Sequence, residues 1–199
     1  MDAHNAPLQF LPCCYNRRTV LKAALVLGVG GARLYSAAAQ DADPRNARPQ
    51  AGDQFVVSSG ERQGMVITPA ALSVGDPPLT VYPKEPGTGV IRDGSRLNQV
   101  MLLRFDPAEL TEATRVRSAE GVVAYSSVCT HAGCDIWNWQ GAPKTLKCPC
   151  HDSEFDPKED ARVLSGPAPR RLAALPLKVA DGVLVAAGGF VGRVGFKQD

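Results

Sequence analysis

Two short runs decide how this chain is read: Cys129-Thr130-His131-Ala132-Gly133-Cys134 and Cys148-Pro149-Cys150-His151-Asp152-Ser153. They hold four of the six cysteines and two of the three histidines. The others, His4, Cys13 and Cys14, lie near the N-terminus. Thiolate and neutral imidazole are both good ligands for zinc and iron. Two plain disulfides would account for the four cysteines in an oxidising compartment, but they leave His131 and His151 without a role. Two cysteines and two histidines in paired loops also suit a structural zinc. That reading leaves Cys134 and Cys150 over, free to bridge.

The order of residues narrows the choice. C-T-H-x-G-C followed by C-P-C-H-x-S resembles the Rieske iron–sulfur proteins. Roughly residues 97–196 carry the resemblance, and it is weakest before Val122. It implies a [2Fe–2S] cluster, with Cys129 and Cys148 on one iron and His131 and His151 on the other. It also implies a disulfide between Cys134 and Cys150, as in the members found in respiratory complexes. Ser153 matches the serine that donates a hydrogen bond to a cluster sulfide. Gly166-Pro167-Ala168-Pro169 matches the loop that covers the cluster's remaining side. The implied fold is all-β: an antiparallel sandwich with a small cluster-binding subdomain and one short helix. The implied role is that of a non-catalytic redox subunit, carrying one electron within a respiratory oxidoreductase complex. A zinc-stabilised, non-redox binding module is the alternative.

Departures from the pattern bear on the branch. Phe155 stands where quinol-oxidising members place a tyrosine whose hydroxyl reaches the cluster's ligands, which predicts a lower potential here. Its other role is core packing. Ala132 replaces a common leucine at the quinone-docking face. Asp152 replaces a glycine and puts a carboxylate beside His151, either tuning that imidazole or simply solvated. Val123 to Ser126 and the second run are similar to the small subunit of arsenite oxidase. The same runs, with the tail from Ala186 to Phe196, are also similar to quinol–cytochrome c reductase iron–sulfur proteins. Trp137 and Trp139 read as packing residues. A Rieske oxygenase would need a second domain and further histidines for a mononuclear iron.

Outward from the motifs, short apolar runs recur between turn residues. Candidate strands are Leu79 to Tyr82, Val100 to Phe105, Val122 to Val128, Leu175 to Val179 and Val183 to Ala187. The last two flank Asp181-Gly182, a two-residue hairpin turn. Asp106-Pro107-Ala108-Glu109 supplies an N-cap, a first-turn proline and an acidic third position. It predicts a helix to about Ala113. Residues 40–52 are polar, with two prolines and no periodicity, and read as a linker. The domain is then 53–199.

Residues 1–39 read as an export signal. Arg17-Arg18-Thr19-Val20-Leu21-Lys22 resembles a twin-arginine motif, ten uncharged residues follow from Ala23 to Ala32, and Ala37-Ala38-Ala39 suits a signal peptidase. Arg33 interrupts a span of membrane length, so both cleavage and retention as an anchor stay open. A periplasmic location follows, with a partner subunit and a c-type cytochrome or similar acceptor. The whole chain carries a net charge of +2; without residues 1–39 it has 18 basic and 19 acidic residues. That balance argues against a nucleic-acid-binding surface. With 44% hydrophobic and 21% charged residues, the chain is neither a polytopic membrane protein nor largely disordered.

Overall fold

The computed structural model describes residues 43–196. The expected export signal lies outside the described residues. Ten strands form two antiparallel sheets. Six of them, β1 (Gln54–Val57), β2 (Leu79–Lys84), β3 (Val100–Arg104), β4 (Val122–Ser126), β9 (Leu177–Ala180) and β10 (Val183–Ala186), line up in the order β4-β3-β2-β1-β10-β9. The other four, β5 (Asn138–Gln140), β6 (Thr145–Lys147), β7 (Glu154–Asp156) and β8 (Arg162–Ser165), run consecutively. All five strands expected from the apolar runs are present, within three residues at their ends. Among the described residues no helix is long and apolar enough to cross a membrane.

Strands β3 and β4 are the shared wall between two cores. Side chains alternate across a strand. Met101, Leu103, Val123 and Tyr125 therefore face a core that includes Leu146, Phe155, Cys129 and Cys148. Val100, Leu102, Val122 and Ala124 face the opposite core, with Phe55, Val81, Leu175 and Leu184. Covering on both faces explains why β4 is buried at all five positions. The first core joins the small sheet to the large one, and the cysteine-bearing loops grow from it.

The β9–β10 hairpin forms as expected, with Val183 opposite Ala180. Asp181 and Gly182 both have positive φ, 50° and 77°, the twist that a tight hairpin turn requires.

Two expectations need correction. The single helix from Asp106 is two pieces: a 3₁₀ turn at Pro107–Glu109 and a one-turn α1 at Glu112–Arg115. Asp106 does cap the first, accepting from the Ala108 amide at 2.9 Å. Leu110 then turns extended (φ −86°, ψ 136°) and is buried in the first core. Burying that leucine outweighs continuing the helix. Glu109 bonds Lys144 at 2.9 Å.

The expected linker is, over residues 43–52, docked on the domain. The Arg45 carbonyl accepts from Gly94, and Gly52 donates to Ala186. Arg48 donates to the Leu97 carbonyl, and Asn98 donates to that of Ala47. Next to it, Asp53 and Arg92 form a buried ion pair with bonds of 2.7 and 3.0 Å. Polarity here reflects backbone and side-chain hydrogen bonding to the domain, which composition does not distinguish from solvation.

Candidate metal centre

Both cysteine–histidine runs are six-residue loops closed in the same way. Val128 and Asp135 bridge across the base of the first, and Lys147 pairs with Glu154 at the base of the second. The Cys129 amide donates to the Cys134 carbonyl at 2.8 Å, and the Cys148 amide to the Ser153 carbonyl at 2.8 Å. The Cys129 carbonyl accepts from Gly133, and the Cys148 carbonyl from Asp152, both at 3.1 Å. Each loop therefore needs a left-handed residue at its fifth position. Gly133 has φ 77° and Asp152 φ 59°. Aspartate is among the few side chains that adopt this region readily. Asp152 also lies 3.0 Å from the Lys147 ammonium.

The loops meet at their tips. Cys134 and Cys150 are joined by a disulfide, with Cα atoms 6.5 Å apart. Cys129 and Cys148 are free and buried. His131 and His151 lie edge to face with ring centroids 4.6 Å apart. His151 is exposed and His131 half-buried. All six residues singled out by the motifs thus come together at one end of the small sheet.

A third segment closes the arrangement. A Cβ at Gly166 would sit 2.5 Å from the Ser153 Cα. Only a residue without a side chain allows that approach. The Ser153 Oγ, fully buried, accepts from the Ala168 amide at 3.1 Å. That leaves the hydroxyl proton for a second partner. Thr130 donates to the Arg170 carbonyl at 2.6 Å, which ties the first loop to this segment. Arg96 braces the first loop from outside, bonding the Gly133 carbonyl at 2.5 Å and Asp135 at 2.7 Å. Nothing in the sequence marks Arg96 for this role, because it lies more than thirty residues from its partners.

The chemistry of the donor set fits a metal group held by thiolate and imidazole. Burial pushes the Cys129 thiol up to about 11, so a metal must displace the proton there. The His131 Nδ1 is buried with no hydrogen-bond partner, a state that a metal bond relieves. Three sulfurs, those of Cys134, Cys148 and Cys150, lie within 4.8 Å of one another. Two of them are spent on the disulfide. Among the described residues, the thiols able to ligate are those of Cys129 and Cys148.

Residues 98–176 match the Rieske [2Fe–2S] domain family. The chain carries a Rieske domain. Its cofactor is one [2Fe–2S] cluster. A protein of Haloferax mediterranei described as a respiratory nitrate reductase Rieske subunit is 40% identical over 134 residues, covering 66% of this chain and 57% of that one. The Rieske iron–sulfur subunit of the cytochrome bc1 complex of Mycobacterium tuberculosis is 38% identical over 104 residues, covering 49% of this chain and 24% of its own length. The plasma-membrane Rieske protein of Synechocystis PCC 6803 aligns in structure over 54% of this chain and 84% of its own, with 23% identity and a TM-score of 0.36.

The Rieske domain places the departures noted above. Phe155 is fully buried, opposite Leu146 in the first core. Ala132 is exposed at the tip of the first loop. Trp139 packs 6.4 Å from Phe105, ring to ring. Trp137 is not a packing residue: it is 68% exposed, beyond the end of the first loop. A separate cavity of about 560 Å³ lies behind that loop, lined by Arg48, Leu97, Phe190, Arg193 and Phe196 among others. It holds no thiol, imidazole or carboxylate.

Proposed function

We propose that this chain is an exported, periplasmic electron-transfer subunit of a respiratory oxidoreductase complex. Cys129 and Cys148 would hold one iron of the cluster, and His131 and His151 the other. The cluster supplies one-electron chemistry, at a potential raised because two neutral imidazoles replace two thiolates. The observation that carries this reading is the pairing of two buried free thiols with two imidazoles at the protein's edge.

The chain's own residues hold that edge rigid. The disulfide and the Thr130–Arg170 bond fix the three segments against one another. Ser153 Oγ is anchored by the Ala168 amide, which leaves its hydroxyl proton free to donate to a cluster sulfide. Exposed His151 and Ala132 form the face on which a partner docks, with a c-type cytochrome or similar acceptor as the redox partner. An N-terminal export signal of the twin-arginine kind fits a protein whose cluster is inserted before transport.

Two residues favour a donor other than quinol within such a complex. Ala132 presents no apolar bulk at the docking tip, and Phe155 offers no hydroxyl to ligand sulfur. An arsenite-oxidase-like or nitrate-reductase-like assembly suits both better than a quinol–cytochrome c reductase.

The test is a redox titration of the dithionite-reduced chain followed by EPR, with metal analysis of the same sample. The expected result is a rhombic signal of the histidine-ligated [2Fe–2S] type and two irons per chain. Zinc in place of iron, with no signal, would leave a structural metal domain and overturn the electron-transfer reading.

A further inference from the structure

The sulfurs of Cys134, Cys148 and Cys150 lie within 4.8 Å of one another. Cys134 and Cys150 are bonded, and Cys148 is a free thiol. A thiol held beside a disulfide is set for exchange, in which its thiolate attacks one sulfur and the other leaves. We propose that loss of the cluster releases Cys148 to attack this disulfide, converting Cys134–Cys150 into Cys134–Cys148 and leaving Cys150 as a free thiol. The proposal rests on the reading of Cys148 as a cluster ligand, since a sulfur bound to iron is not available as a nucleophile.

The direction follows from burial. Attack on the Cys134 sulfur expels Cys150, which is exposed; attack on the Cys150 sulfur expels Cys134, which is half-buried. The departing sulfur carries a negative charge, and that charge is better solvated at the exposed position. A Cys148–Cys150 bond would also close a ring across Pro149 alone, whose φ is fixed. The Cys134–Cys148 bond instead keeps the two loops joined.

The step is an isomerisation. Cys148 loses its thiol proton to solvent, and its sulfur bonds to that of Cys134. The Cys134–Cys150 bond breaks with its electron pair on Cys150, which takes up a proton. No electron enters or leaves, so the chain keeps one disulfide and the same number of free thiols.

The consequence is a site that seals itself. The isomer keeps the loops tied but has spent one ligand sulfur. Reloading the cluster then requires the bond to be reopened first, by Cys150 attacking back on Cys134 or by a thiol reductant. Cluster insertion before the disulfide closes avoids the trap during assembly, though not after a later loss of the cluster.

The experiment uses the full chain purified with its cluster, its iron content and visible spectrum recorded first. Absence of iron there overturns the cluster reading, and the exchange with it. The cluster is then stripped by a chelator without oxygen. Thiols are quenched in acid, which suppresses thiolate, and capped with N-ethylmaleimide. Unreduced peptides are mapped by mass spectrometry. The expected result is a linked Cys134–Cys148 peptide pair, with the cap on Cys150 raised about tenfold or more over the loaded protein. An intact Cys134–Cys150 pair with caps on Cys129 and Cys148 overturns the exchange alone. A Cys148–Cys150 pair with the cap on Cys134 also overturns it. In Cys148→Ser the nucleophile is gone, so Cys150 stays uncapped; a capped Cys150 in that variant counts against the proposal.

Discussion

At the scale of single residues, the site depends on atoms that are missing as much as on those present. Gly166 lets one segment lie against the backbone of Ser153, where a Cβ would come within 2.5 Å of its Cα. Gly166 also sits at φ 85°. Backbone cannot yield as a side-chain tip can, so Gly166→Ala should lower stability by about 2 kcal/mol or more. A shift of the urea midpoint with unchanged slope would show it. Phe155 is the complementary case. Its ring fills the first core beside the cluster loops, and it lacks a polar tip. Phe155→Tyr should raise the cluster's midpoint potential by tens of millivolts, since hydrogen bonds to sulfur raise it. A titration showing no rise would mean that the position serves packing alone.

Among elements, the two six-residue loops repeat one hydrogen-bond scheme at two different places in the fold. The first leads from β4 of the large sheet toward β5 of the small one, and the second is the β6–β7 connection. Their cross-link spans a sequence separation of 16 residues. Removing it as the Cys134→Ser, Cys150→Ser pair should cost about 3 kcal/mol from loop closure alone. Thermal unfolding of the cluster-loaded chain would read that loss. The broken helix at 107–115 shows the same priority of core over local preference. Leu110 is 3% exposed and anchors the break. Leu110→Ala should destabilise by about 2–4 kcal/mol, the range for a truncated core leucine. A loss under about 1 kcal/mol, measured by denaturant unfolding, would show that the leucine is not what interrupts the helix.

Over the whole molecule, the segment before the first strand is part of the domain's stability. Asp53 and Arg92 are 2% and 4% exposed, and their ion pair joins the start of β1 to the connection between β2 and β3. The Asp53 carboxylate also accepts from the Gln50 amide at 2.8 Å. Asp53→Asn strands a buried guanidinium and should cost about 3–5 kcal/mol. The double change Asp53→Leu, Arg92→Met should recover much of that loss, because an apolar pair of similar volume replaces a desolvated ion pair. Equal unfolding midpoints for the single and double variants would contradict this account.

The amino-acid sequence by itself determined the cysteine–histidine constellation, five of the ten strands (β2, β3, β4, β9 and β10) and the Asp181-Gly182 hairpin. These are local signals: ligand spacing, period-two apolar runs and turn chemistry act over a few residues. The small sheet escaped such a reading, because β5, β6 and β7 are three residues each, too short for a period to register. Tertiary structure alone decided the rest. It set the helix break at Leu110, which only a core on the far side explains. It docked residues 43–52, whose polar groups look solvated until their partners near Asn98 and Asp93 are in place. It also brought Arg96 to the first loop and Cys148 beside the disulfide. Each of these depends on contacts between residues distant in the chain, where burial and hydrogen-bond satisfaction override local preference.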